Sequence, residues 1–281
     1  MTNQPNQLRL NKFLAERLGL SRREADEAIS AGKVTIDGVT ATLGARLPTP
    51  DKLDNFPKVC YNGKIIPFDT EYLYIAFNKP VGYVCSRRAQ GATPTLYELL
   101  PQKYQKLKTV GRLDKDSSGL ILLTNDGDFA YQMTHPKFHK EKIYEVELDH
   151  PLEPLHQQMI SDYGVMLDDG PSKFTVIKSE PTTSLPKGVR RLANRGVAPA
   201  THGRPPLGTR TTSVDGLAGR APRKTVSEAH YMVILSEGRN RQIRRTFAAL
   251  GYRVVALHRT QFGPYQLSGL GPGKFAAIDK A

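Results

Sequence analysis

Between Gly111 and Gly127 the chain reads GRLDKDSSGLILLTNDG, and no other stretch constrains the fold as strongly. Its apolar run, Leu120 to Leu123, is too short for a helix. Turn residues close it off on both sides, Ser117-Ser118-Gly119 before and Asn125-Asp126-Gly127 after. The pattern predicts a buried strand between two turns. Asp114 falls on the irregular backbone just ahead of that strand, between Arg112 and Lys115, where a carboxylate can reach a cleft beside cations. By residue type alone, Asp114, Asp116, Asp126 and Asp128 are ordinary turn acids, since loops are commonly built from them.

A chain of 281 residues with 39% hydrophobic content suggests about two domains and can bury a full core. No apolar run approaches the roughly 20 residues needed to span a bilayer. The N-terminal MTNQPNQLRLNK lacks the apolar core of a secretory signal. Cys60 and Cys85 are the only cysteines, too few for a disulfide framework and not closely paired as zinc ligands are. Two free thiols in a reducing, cytoplasmic compartment are expected, with no membrane contact. His135 and His139 flank Pro136, which precludes a regular helix, and no carboxylate-rich metal pattern accompanies them. They read as a surface loop near the nucleic-acid partner, and no metal or cofactor is expected.

The net charge of +13 points to a polyanionic partner, most often nucleic acid. Its distribution is uneven: +3 over residues 1–68, −3 over 69–180, +8 over 181–224 and +5 over 225–281. The Asp114 stretch therefore lies in an acidic part of the chain. Phosphate attraction must come from the segments around it.

Residues 1–7 read as a flexible N-terminus, and residues 8–68 as a small helical and β module with its linker. Leu10, Phe13, Leu14 and Leu18 follow helical spacing, with Gly19 as the stop. Ser21-Arg22-Arg23-Glu24 has the form of a capping box for a second helix running to about Ala31. Lys33 to Thr40, with Asp37-Gly38 at its middle, predicts a hairpin. Arg9, Lys12, Arg17, Arg22, Arg23 and Lys33 decorate the module. Residues 69–281 form the second unit. It carries strands at Tyr72–Phe77, at Lys142–Leu148 with Tyr144 inward, at Ala229–Leu235 and at Tyr252–Arg259. A short helix is expected near Thr95–Leu100 and a longer one at Arg241–Leu250, capped by Asn240. Arg241, Arg244 and Arg245 can share one face of that helix and need acidic partners, phosphate or Asp114. Residues 181–224, rich in Pro, Gly, Thr and Arg, interrupt this unit and read as a disordered basic insertion. Gly269 to Lys274 is no phosphate loop, because Ser268 and Phe275 replace residues such a loop requires.

Two resemblances follow from these blocks. RLNKFLAERLGLSRREADEAISAGKVTIDG resembles the alpha-L RNA-binding domain, of S-four type, which implies that Arg22 and Arg23 face phosphate and that Arg9, Lys12 and Lys33 join them. FNKPVGYVCS, GRLDKDSSGLILLTNDGDFAYQMTHP with KIYEVEL, and EGRNRQIRRTFAALGYRVVALHRTQFGP resemble the ribosomal pseudouridine synthases of the RsuA and RluB type. The likeness covers nearly the whole chain except residues 181–224. It implies an α+β fold, with a mixed, mainly antiparallel central sheet flanked by helices, beside the small RNA-binding domain. It also implies an activity, the isomerisation of a uridine in ribosomal RNA to pseudouridine, without cofactor, by a monomer acting on rRNA or a pre-ribosomal particle.

By that resemblance Asp114 is the catalytic carboxylate, as nucleophile or as base at the sugar. Arg244 pairs with it, and Tyr144 stacks on the flipped uracil. Leu113 and Ile243 are apolar neighbours of the base, and Arg112 and Arg241 hold phosphate. The arginine-rich block at Asn240–Arg245 favours 23S over 16S rRNA, and related enzymes act on tRNA. A non-catalytic ribosome-assembly protein is the alternative, and it would have no chemical need of Asp114, Tyr144 and Arg244 together.

Overall fold

The computed structural model describes residues 7–48, 56–69, 71–87, 91–180 and 229–281. The basic insertion expected at 181–224, and the expected flexible N-terminus apart from Gln7, lie outside the described residues.

Helices α1 (Leu10–Leu18) and α2 (Arg22–Ser30) open the chain. The turn between them is fixed at both ends. Gly19 takes the left-handed conformation that ends α1. Ser21 Oγ accepts from the Glu24 amide at 3.1 Å while the Glu24 carboxylate accepts from the Ser21 amide at 2.7 Å, the reciprocal cap the sequence predicts. Strands β1 (Val34–Ile36) and β2 (Val39–Thr40) form the expected hairpin, with Asp37 and Gly38 both at positive φ as a tight primed turn requires. With β3 (Val59–Tyr61) and β4 (Lys64–Ile65) they complete a four-stranded sheet in the order β2-β1-β3-β4. Leu10, Phe13, Leu14, Ala25, Ile29, Val34 and Val59 form a closed core of their own beneath it.

The second unit is built on nine strands. They are β5 (Tyr74–Lys79), β6 (Lys108–Val110), β7 (Ser118–Thr124), β8 (Lys142–Leu148), β9 (Thr175–Lys178), β10 (His230–Leu235), β11 (Val254–Phe262), β12 (Tyr265–Gln266) and β13 (Phe275–Ala277). The order is β9-β10-β8-β11-β7-β5-β13, with β6 on β7 and β12 on β11. Every pairing is antiparallel except that of β7 with β11, so the sheet is mixed and mainly antiparallel. All seven residues of β7 are buried. Ile121 and Leu123 belong to the core that holds Tyr144, Val146, Leu148, Ile243 and Phe247. Leu120 and Leu122 belong to another, with Phe129, Met133 and Phe262. Helix α3 (Gly127–Thr134) supplies Phe129 and Met133, and α4 (Gln242–Ala249) supplies Ile243 and Phe247. A strand covered on both faces reads as a continuous apolar run, which is why Leu120–Leu123 is so legible.

At the parallel pairing, Gly119 lies opposite Arg259 with φ +106°. A Cβ there would stand 2.2 Å from the Arg259 carbonyl oxygen, so only glycine lets the two strands approach.

Three elements differ from expectation. β5 runs to Lys79 instead of ending at Phe77, because the last two residues pair with Gly119 and Leu120. β11 begins at Val254 and extends to Phe262, drawn out by its pairing with β8. Asn240 does not cap α4; Arg241 occupies that place with φ 46° and no side-chain cap.

The two units touch through polar contacts. Lys12 of α1 pairs with Asp128 at the start of α3. Arg87 donates to the carbonyls of Gly19, Lys106 and Leu107.

Candidate active site

The turn between β6 and β7 is held from beneath by a buried cation. Lys79, with no exposed surface, donates its ammonium protons to the carbonyls of Pro80 (3.1 Å), Asp114 (2.9 Å) and Ser117 (2.7 Å). Burial pulls its pKa down to about 8, against the opposing pull of Cys85, Asp114 and Asp116. A second anchor is Cys85, whose sulfur lies 3.3 Å from both the amide and the carbonyl of Leu113. Together they fix the backbone on both sides of Asp114. Cys85 and Cys60 are both free thiols.

Asp114 faces a cavity of about 240 Å³. Of the seven residues that the resemblance places at the chemistry, six line it: Arg112, Leu113, Asp114, Tyr144, Arg241 and Ile243. Leu113, Tyr144 and Ile243 are buried and form its apolar wall, while Arg112 and Arg241 are exposed at its edge. The seventh, Arg244, is absent from the lining.

Arg244 was expected to pair with Asp114, and here the structure corrects the sequence reading. The guanidinium that reaches Asp114 belongs to Arg241, at 3.5 Å. Arg241 also clamps both carboxylate oxygens of Asp116, each at 3.0 Å. Arg244 lies deeper, with its Nε 3.4 Å from Asp116. Its other nitrogens donate to the carbonyls of Val254 and Asp116, both at 2.9 Å. The left-handed backbone of Arg241 accounts for the exchange. It starts α4 one residue late, so that Arg241 stands outside the helix, and it and Arg244 meet on Asp116. Asp116 is thus no mere turn acid. Burial alone would raise its pKa, but the hydrogen bond from Arg241 and the charges of Arg244 and Arg241 outweigh that and hold it low.

The remaining arginines of the cluster go elsewhere. Arg239 and Arg245 both pair with Asp169, at 3.0 and 2.7 Å. The expected single face divides between two acidic loops.

Arg259 is a further site residue that the sequence reading passes over. It is 2% exposed, donates through Nε to the Leu120 carbonyl at 2.7 Å and approaches the Tyr144 hydroxyl at 3.5 Å. Its Nη2 has no hydrogen-bond partner. A charged residue close behind the apolar run Val254 to Leu257, within the same strand, is the signal that could have found it. Lys142, also in the lining, has its pKa drawn down to about 8 by burial and by the charge of Arg259.

Among the residues expected to hold RNA backbone, Arg9, Arg22, Arg23 and Lys33 are exposed. Arg22 and Arg23 flank a second cleft to which Arg87 and Lys108 of the larger unit contribute. Lys12 is committed to Asp128 and stands 3.9 Å from Glu16. Its ammonium joins the two units.

Against known families, residues 73–249 match the model of RNA pseudouridylate synthase and residues 8–51 that of the S4 domain. The ribosomal small subunit pseudouridine synthase A of Pasteurella multocida is 31% identical over 273 residues, covering 96% of both chains. The enzyme of the same name from Yersinia pestis is 32% identical over 272 residues, covering 96% of this chain and 94% of the other. That of Escherichia coli K12 is 31% identical over 272 residues, with 96% of both chains covered. A solved pseudouridylate synthase superposes with a TM-score of 0.56 at 28% identity, covering 97% of this chain and 96% of that one. These relatives carry the small subunit in their names, so the large-subunit preference read from the Asn240–Arg245 block is not supported. With a cavity that Asp114 faces on a mixed sheet and an S4 domain ahead of it, the chain belongs to the RNA pseudouridylate synthase family and is an enzyme of the isomerase class.

Proposed function

We propose that the protein converts one uridine of small-subunit ribosomal RNA to pseudouridine, with Asp114 as the catalytic carboxylate. One observation carries this reading: Asp114, Tyr144 and the apolar pair Leu113 and Ile243 share a single cavity of about 240 Å³ with a guanidinium 3.5 Å from the acid.

The reaction exchanges a bond from ribose carbon 1′ to uracil nitrogen 1 for one to carbon 5; the carbon 5 proton leaves and nitrogen 1 takes one up, so substrate and product are isomers. Three things are required of the site: a carboxylate at the sugar, a surface that keeps the detached base, and exclusion of water. Asp114 meets the first, as nucleophile or as base at the ribose, aimed by Arg241 and by the Lys79 clamp on its own carbonyl. Tyr144 meets the second by stacking on the uracil and takes part in moving the carbon 5 proton. Leu113 and Ile243 close the third. The uridine must first leave its stack, which costs a few kcal/mol and is offset by ring stacking and by phosphate contacts to Arg112. Arg22 and Arg23 of the S4 domain hold more distant backbone. The enzyme works as a cytoplasmic monomer on rRNA or on a pre-ribosomal particle.

Tritium release from transcripts labelled at uridine carbon 5 tests the assignment. Release is expected from small-subunit rRNA and not from large-subunit rRNA or tRNA. Release from the large-subunit transcript alone would overturn the choice of subunit.

A further inference from the structure

Around Thr134, a residue of the cavity lining, stands an aromatic cluster that the chemistry above does not use. Tyr131 and Phe138 are 45% and 36% exposed, among the most exposed aromatic residues of the larger unit. With His135 they form one group. Tyr131 and His135 have ring centroids 4.7 Å apart, and Tyr131 and Phe138 meet edge to face at 5.7 Å. The Lys137 ammonium sits 4.7 Å from the Phe138 centroid and 5.2 Å from that of Tyr131.

Position gives the cluster meaning. Thr134 lies within its span in sequence and Lys142 four residues beyond Phe138, and both of these line the cavity. Helical spacing puts Tyr131 on the same side of α3 as Thr134 and His135. Charge points the same way. Residues 69–180 are net acidic, yet residues 131–142 hold three lysines against one glutamate. An exposed set of rings beside lysines, around a lining residue of a site that takes an extruded nucleotide, has the make-up of a platform for unpaired bases.

We infer that Tyr131, His135 and Phe138 form a stacking platform for an unpaired base next to the target uridine, with Lys137 meeting the adjoining phosphate. The occupant is RNA, because Lys137 sits at both rings, Asp128 one helical turn before Tyr131 is already paired with Lys12, and the cavity it borders admits a nucleotide. Its role is to hold the strand open once the uridine has left the stack, which strengthens binding without touching the reacting atoms. The inference rests on the proposed RNA chemistry of the cavity but not on which subunit supplies the RNA.

The test uses the full chain, labelled small- and large-subunit rRNA transcripts, and a mixed-sequence single-stranded RNA carrying one 2-aminopurine. Tyr131→Ala with Phe138→Ala is expected to raise KM about ten-fold on whichever transcript the wild type turns over, with kcat within two-fold. The same double variant should lose the quenching of 2-aminopurine that the wild type produces. Tyr131→Phe and Phe138→Tyr should keep both properties, since the stacking faces survive. Unchanged KM and quenching in the double alanine variant would overturn the inference, as would a fall in kcat at constant KM, or a wild type that produces no quenching. If the double variant melts early, the exposed Tyr131→Ser alone gives the same readings. Turnover confined to the large-subunit transcript with quenching intact would sink the small-subunit assignment and leave the platform standing.

Discussion

Asp114 meets its guanidinium from Arg241, a residue in the left-handed conformation at the start of a helix, and the same guanidinium binds Asp116 at 3.0 Å. The acid proposed to perform the chemistry therefore shares its cation with Asp116. If Asp114 is the reacting group, Asp114→Asn should abolish tritium release while leaving RNA affinity within a few-fold and the melting temperature nearly unchanged. The side chain is about one-third exposed and its pair is weakly stabilising, so the fold does not depend on it. Loss of binding on the scale of the loss of activity would remove Asp114 from its role.

Arg241 and Arg244 should separate function from stability. Arg241 is exposed at the cavity edge, so Arg241→Gln is expected to lower kcat/KM by about 10- to 100-fold, the worth of one charge-assisted contact, at little cost in stability. Arg244 is mostly buried and bound to two carbonyls and a carboxylate. Arg244→Met should cost about 2–4 kcal/mol, seen as a melting temperature lower by roughly 5–10 °C. Thermal melts beside steady-state kinetics decide it, and a stable Arg244 variant with a destabilised Arg241 variant would reverse the assignment.

Much of this was legible beforehand, for reasons tied to particular residues. Leu120–Leu123 announces a buried strand because both of its faces are covered, and Ser21 and Glu24 announce a cap because both halves of the box lie three residues apart. Pairing among charges was not legible. Four arginines between Arg239 and Arg245 could meet any of several acids, and only the folded chain sends two to Asp114 and Asp116 and two to Asp169. Lys79 was missed for a related reason. A lysine before a proline reads as a turn, and nothing local says that three carbonyls from the Asp114 loop and its neighbours will converge on it.

That lysine gives a pH dependence of stability. Its pKa in the fold, about 8, lies below its ordinary value of 10.5, so between these values the unfolded chain binds the proton more readily. Stability from Lys79 therefore rises with pH from about 8 to 10.5 and is lost as pH falls through 8. Lys79→Met removes the titration. The stability difference between wild type and variant should grow with pH across that window, by up to about 3 kcal/mol. Urea melts at pH 7.5, 9 and 10 measure it, and a difference that shrinks with pH would show that the carbonyl clamp keeps the ammonium charged.

Gly119→Ala should be among the most damaging single substitutions in the larger unit. An added Cβ would meet the Arg259 carbonyl oxygen at 2.2 Å and its nitrogen at 2.5 Å, and both are backbone atoms that no rotamer change can move. The positive φ adds strain of its own. Parting β7 from β11 would also shift Arg259 beneath Tyr144, so a loss of about 3 kcal/mol or more and a collapse of activity are expected together. A soluble variant with a wild-type melt would show that the two strands part freely.

The last expectation concerns the insertion that separates β9 from β10. These strands pair antiparallel with Lys178 opposite Tyr231, so the chain leaves and re-enters the sheet at adjacent points. A hairpin of that geometry needs only a few residues to close. Replacing residues 181–224 by a short Gly-Asn linker should preserve the cooperative melt, because the segment's sequence, rich in Pro, Gly, Thr and Arg, holds few residues able to form a core. It would also remove nine cations and one acid, a net charge of +8. Binding to RNA by those cations proceeds through counterion release, so the deletion should weaken affinity mainly at low salt and flatten the dependence of log Kd on log salt. Filter binding between 50 and about 300 mM salt reads that slope. An unchanged slope would make the segment a passive insertion, and a lost cooperative melt would make it part of the fold.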